Sequence, residues 1–251
     1  MTNKERLIVA LDVDTEEKAL SLVNKLKKDV RVFKVGSELF TSCGPGIVRR
    51  IKEAGCEVFL DLKFHDIPNT VAKSSVSAVR LGAFLFNVHA SGGPDMMKKC
   101  AQAASDEAKA LKIPRPKVIA VTVLTSMDEN NLKKVGVGDN MEAQVLRLAK
   151  LAKESTLDGV VASAAEIKPI RKAIGRDFVI VTPGVRPSWA AVNDPSTGSG
   201  SALSLPKDDQ KRIATPKEAM DSGADFIVVG RPIIEAPDPA EAARKVLKEI
   251  E

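Results

Sequence analysis

The sequence predicts an α/β fold, one (β/α)8 TIM barrel occupying residues 1–251, and three observations carry that reading. Eight short runs rich in Val and Ile alternate with segments of helical apolar periodicity. Runs that are apolar on both faces are what strands of a parallel sheet look like when helices cover it. Polar or charged residues stand at the C-terminal end of nearly every run, and no Gly-x-Gly-x-x-Gly follows the first, which disfavours an open doubly wound sheet.

Taken in order, the first strand is residues 7–12, ending in Asp12. Thr15 is placed as the N-cap of a helix reaching about Lys28. The second strand, 30–35, carries Lys34 inside the apolar frame Phe33-Lys34-Val35-Gly36. A helix over 44–54 is stopped by Gly55. The third strand begins at Glu57 and alternates, so that Phe59, Asp61 and Lys63 share an inward face and Val58, Leu60 and Leu62 the other. Asp66 lies just past that strand, and Pro68 opens a helix to Leu81. The fourth strand, 84–89, ends in Asn87 and His89, and a long helix follows Gly92-Gly93-Pro94. The fifth, 117–123, ends at Leu124-Thr125-Ser126 and is followed by helices over 128–134 and 141–155. The sixth is 159–163, with a helix after it to 173. The seventh, 178–182, runs into Pro183-Gly184-Val185-Arg186-Pro187. A helix over 215–222 precedes the eighth strand, 226–229, which runs into Gly230-Arg231-Pro232, and a last helix starts at about Pro239.

Composition narrows the function classes. A chain that is 44% hydrophobic and 28% charged can fill one sizeable core. The net charge of +5 is spread, with no block of Lys or Arg and 4% aromatics, so no nucleic-acid partner is expected while an anionic small substrate fits. Cys43, Cys56 and Cys100 are odd in number and lack Cys-x-x-Cys spacing, the pattern of reduced thiols in a cytoplasmic protein. The first apolar run is too short for a signal peptide, and no stretch approaches a membrane span, so no membrane association is expected. His65 and His89 are the only histidines and show no metal spacing; no Walker loop, serine elbow or zinc pattern occurs. The chemistry therefore falls to Asp and Lys.

In a barrel the strand ends converge, so Asp12, Lys34, Asp61, Lys63, Asn87, His89, Thr125, Arg186 and Arg231 should ring one mouth. Loops after strands seven and eight are the usual phosphate site, which assigns Arg186 and Arg231, with the backbone near Gly184 and Gly230, to an anionic group. Asp61, Lys63 and Asp66 form a charge cluster at one strand end. A lysine held between carboxylates stays protonated, which suits proton donation to a carbanion better than imine chemistry.

Asp61-x-Lys63-x-x-Asp66-Ile67-Pro68-Asn69-Thr70 resembles the hallmark of the orotidine 5′-phosphate decarboxylase family. The resemblance extends over nearly the whole chain, through Leu11-Asp12-Val13, Phe33-Lys34-Val35-Gly36, Asn87-Val88-His89-Ala90, Val123-Leu124-Thr125-Ser126, Pro183-Gly184-Val185-Arg186-Pro187, Asp209-Gln210-Lys211-Arg212 and Gly230-Arg231-Pro232. The chain length and the Asp-Gln-Lys-Arg element are similar to the bacterial branch. The resemblance implies decarboxylation of orotidine 5′-monophosphate to UMP without metal or organic cofactor. It implies Lys63 as the ammonium that protonates C6 and Asp61 beside the departing carboxylate. Asp12 and Lys34 would bind ribose hydroxyls, Thr125 or Ser126 would read the pyrimidine edge, and Gln210, Gly230, Arg231 and Arg186 would hold the phosphate. It also implies a homodimer in which Asp66, Ile67 and Thr70 reach the neighbour's site. A related barrel that handles keto-sugar phosphates through a magnesium-bound enediolate is the nearest rival, and Lys34 opposes a cation there. A non-catalytic barrel scaffold is the third reading.

One departure stands out. Residues 195–209, with a Thr-Gly-Ser-Gly-Ser core, have the composition of a flexible linker and read as an insertion in the loop after strand seven. Doubling a loop adds only about 0.6 kcal/mol of closure entropy, so the fold is expected to tolerate it.

Overall fold

Eight parallel strands close on themselves: β1 Leu7–Ala10, β2 Val32–Gly36, β3 Glu57–Phe64, β4 Leu85–His89, β5 Lys117–Val121, β6 Gly159–Val161, β7 Val179–Thr182 and β8 Phe226–Val229. The computed structural model describes residues 2–191 and 214–251. Every strand pairs with the next, and β8 returns to β1 through Leu7↔Ile227, Ile8↔Val228 and Val9↔Val229, so the sheet has no open edge. The expected barrel is thereby the observed one.

The two-residue period of the strands sorts the side chains into two cores. Ile8, Ala10, Val32, Phe59, Leu85, Ile119, Val181, Phe226 and Val228 pack together inside the barrel. Leu7, Val9, Phe33, Val35, Val58, Leu60, Phe86 and Val88 belong to the larger core that the helices cover. The inward positions turn polar one step further up three adjacent strands: Lys34 follows Val32, Asp61 follows Phe59, and Asn87 follows Leu85. The barrel is therefore plugged with hydrocarbon below and lined with charge above.

Helices sit where periodicity places them. Thr15 caps Glu16–Leu26, its hydroxyl accepting from the Lys18 N–H at 3.3 Å, and Pro68 stands in the first turn of Pro68–Arg80. Four short helices were not expected: Asn3–Arg6, Ser37–Cys43, Ser188–Ala191 and Arg231–Ile234. Pieces this short do not hold by propensity, and tertiary packing makes them.

The strand alternation expected for β3 fails at its top. Leu60 pairs with Phe86, yet the next partner pair is Phe64 with Val88, so four residues of β3 span two of β4. Lys63 lies in this bulge with φ +51°, left-handed backbone that a lysine rarely adopts. Lys63 thus reaches the mouth through an interrupted ladder and not through simple period-two placement.

Candidate active site

Three neighbouring strands lay four charges in a row across the barrel mouth. The Lys34 ammonium lies 3.0 Å from Asp12 Oδ1 and 3.5 Å from Asp61 Oδ2, and the Lys63 ammonium lies 2.8 Å from Asp61 Oδ1. Signs alternate along the row, so each charge in the middle has an opposite charge on both sides. The middle is mostly buried and the ends are open: the Lys34 and Asp61 side chains are each 12% exposed, Lys63 35% and Asp12 49%. Burial works against the Lys34 charge, but Asp61 and Asp12 together outweigh it and raise its pKa above the usual lysine value.

Two glycines make room for this row. A Cβ on Gly36 would stand 2.9 Å from the Lys34 ammonium, and one on Gly230 would stand 3.2 Å from Asp12 Oδ2. Asn87 borders it from β4. Its Nδ2 donates to Asp61 Oδ1 at 2.7 Å, and its Oδ1 accepts the Lys63 backbone N–H at 2.8 Å.

The row floors a cavity of about 310 Å³. Its polar lining holds Asp12, Lys34, Asp61, Lys63, Thr125, Ser126, Arg186, Gly230 and Arg231, all of them residues expected from sequence. Ala10, Phe59, Val121, Val161, Val181 and Val228 supply the apolar wall from inward strand positions. The arginines enter from the far side, after β7 and β8. The Arg186 backbone N–H donates to the Ala214 carbonyl at 2.9 Å, and Val185 and Ala214 form an isolated parallel bridge, which ties the loop after β7 to the start of the next helix.

Some expected residues are not brought into this cavity. Asp66, Ile67 and Thr70 lie outside its lining and are exposed, Ile67 to 67%. Asp66 Oδ1 accepts the Ile67 N–H at 2.6 Å, a local turn contact. The cation held between two carboxylates within this chain is Lys34, and Lys63 is paired with Asp61. Gln210 and the 195–209 segment fall outside the described residues. Asn87 was expected at the mouth without a role; its two bonds follow from the bulge in β3, and only its place two residues beyond inward-facing Leu85 signalled them.

Close by, the His65 and His89 rings stand 5.4 Å apart between centroids. Burial, then His65 and Lys63, press the His89 pKa below its ordinary value. Among the described residues no three His, Cys, Asp or Glu side chains are grouped to hold a metal ion, and no helix is long and apolar enough to cross a membrane.

Comparison with known proteins gives consistent matches. The family model described as orotidine 5′-phosphate decarboxylase / HUMPS family matches residues 5–246. The orotidine 5′-phosphate decarboxylase of Trichlorobacter lovleyi is 52% identical over 98% of this chain and 95% of its own length. That of Syntrophomonas wolfei is 48% identical over the whole of both chains. The crystal structure of orotidine 5′-phosphate decarboxylase from Lactobacillus acidophilus superposes with a TM-score of 0.82 at 38% identity, covering 98% of this chain and 99% of that one.

Proposed function

This chain belongs to the orotidine 5′-phosphate decarboxylase family, and on that premise we propose that it converts orotidine 5′-monophosphate to UMP and CO₂ with its own side chains as the only catalytic groups. The observation that carries the reading is the alternating row Asp12–Lys34–Asp61–Lys63. In the reaction the bond from C6 to the carboxyl carbon breaks, CO₂ leaves, and the electron pair stays on C6. The Lys63 ammonium stabilises that pair and gives it a proton; the resulting amine recovers its proton from solvent. Asp61 holds the ammonium through one oxygen and faces Lys34 with the other, so the field is in place before charge develops on the substrate.

Asp12 and Lys34 are assigned to the ribose hydroxyls, Thr125 or Ser126 to the pyrimidine edge, and Arg186, Arg231 and the Gly230 backbone to the phosphate; that all of them line one cavity supports the assignment. Gln210 is assigned to the phosphate by sequence alone. Asp66, Ile67 and Thr70 are assigned to the neighbouring site of a homodimer, which accounts for an isoleucine left 67% exposed beside the mouth. The magnesium-dependent rival is disfavoured by Lys34, whose ammonium occupies the space between Asp12 and Asp61 that a cation would need.

The deciding experiment follows the ultraviolet absorbance of orotidine 5′-monophosphate with purified protein in EDTA. Catalytic loss of the orotate band is expected, and Lys63→Ala should cut kcat by about 10²–10⁴-fold or more. Turnover of a keto-sugar phosphate with Mg²⁺, and none of orotidine 5′-monophosphate, overturns the reading. If neither turns over, removal of residues 195–209 separates a disabled phosphate loop from a scaffold role.

A further inference from the structure

Asn87 is fully buried and lies outside the cavity lining, yet it holds both residues to which the proposed chemistry is assigned. Its amide orientation follows from its partners. The Lys63 backbone N–H can only donate, so it faces Oδ1; Nδ2 then faces Asp61, whose carboxylate accepts. Turning the amide over would set donor against donor at one end. Leucine could make neither bond, and a carboxylate in the same place would repel Asp61.

The niche it fills is made by the break in β3. The partner pairs Leu60↔Phe86 and Phe64↔Val88 leave Lys63 between them without a place in the ladder, with φ +51°. A left-handed lysine persists only where its surroundings over-determine it, and the bond to Asn87 supplies that constraint at its N–H. At the other end, Asp61 Oδ1 is shared by Asn87 Nδ2 and the Lys63 ammonium, which leaves Oδ2 turned to Lys34. One neutral side chain therefore fixes the backbone of the proposed proton donor and the plane of its counter-ion.

We propose that Asn87 is a positioning residue for the decarboxylation, aiming the Lys63 ammonium at one point by clamping the Lys63 backbone and the Asp61 carboxylate together. This rests on the reading of the site given above.

The test compares wild type with Asn87→Leu and Asn87→Asp. Steady-state kinetics with orotidine 5′-monophosphate run across pH, and hydrogen exchange of the Lys63 amide is followed by NMR. Asn87→Leu should lower kcat by about 10²-fold, the scale of a displacement of about 1 Å, while KM stays nearly unchanged because no substrate contact is lost. In Asn87→Asp the introduced carboxyl faces Asp61 and Lys63 on β3, with Lys34 beyond Asp61, and His89 on its own strand with His65 behind it; its β5 partner is Ile119. At low pH the shared proton donates to Asp61 and activity should approach wild type. As pH rises that proton leaves, the two carboxylates repel, and activity should fall along a limb that wild type lacks. The Lys63 amide should be protected in wild type and exchange freely in Asn87→Leu.

Unchanged kcat in Asn87→Leu overturns the inference. So does a loss that merely tracks the folded fraction, with no added pH limb in Asn87→Asp. If wild type does not decarboxylate the substrate, the functional reading falls by itself; equal exchange at Lys63 in wild type and Asn87→Leu then overturns the clamp, and slower exchange in wild type sustains it.

Discussion

At the scale of single residues, the site is a problem in keeping buried charge in place. Lys34 keeps its proton because two acids flank it, and Gly36 and Gly230 have no side chains where the row needs space. His89 shows the opposite case: burial and the nearby His65 and Lys63 oppose its charge. Its pKa lies below the ordinary 6.5 in the folded chain, so below about pH 6.5 the unfolded chain binds the proton first. The stability that a neutral His89 contributes is complete above that pH and is lost as pH falls toward the depressed folded value. The urea midpoint should therefore drop on acidification just below pH 6.5, and His89→Gln should flatten that part of the curve. The identities of the charged residues were legible in the sequence, because a Lys or Asp at an inward strand position has few structural uses. Which acid faces which lysine was not: Lys34 between Asp12 and Asp61 depends on neighbouring strands being in register, and a single strand does not state its register.

At the scale of elements, strand existence followed from apolar runs, and their ends moved by one or two residues. β5 and β6 each stop two residues early, at Val121 and Val161, where the chain leaves the sheet for the mouth. The bulge in β3 left no mark in the pattern, because Phe59, Asp61 and Lys63 alternate in sequence whether or not the ladder continues. It is a tertiary feature, imposed by the pairing with β4 and held at Asn87. The short helix at Arg231–Ile234 was hidden for a related reason, since Gly-Arg-Pro reads as a turn until the barrel supports it. Close packing between elements is most severe at Gly159 on β6, where an added Cβ would overlap the Val179 backbone carbonyl of β7. Backbone cannot swing aside as a side-chain tip can. Gly159→Ala should destabilise by about 1–3 kcal/mol, lowering the urea midpoint with an unchanged slope.

At the scale of the whole molecule, the closed barrel gathers residues more than 200 positions apart, Asp12 and Arg231 among them, at one opening. Three of the expected contributors, Asp66, Ile67 and Thr70, lie outside the cavity lining, and the proposed homodimer gives them a place. Subunit mixing tests it. If Asp66 serves the neighbouring site, Lys63→Ala and Asp66→Ala homodimers, each inactive, should regain about a quarter of wild-type activity after random exchange, because one site of each mixed two-fold dimer is intact. If Asp66 serves its own chain, mixing restores nothing. The alternating row has a consequence at longer range. Two carboxylates and two ammonium groups sum to zero, so an anion more than a Debye length away, about 10 Å at 0.1 M salt, feels little from them. On the proposed assignment of Arg186 and Arg231 to the phosphate, any long-range attraction of the ligand comes from outside the row and is open to screening by ions. The row acts only on what has already arrived, at distances of about 3 Å, well inside one Debye length.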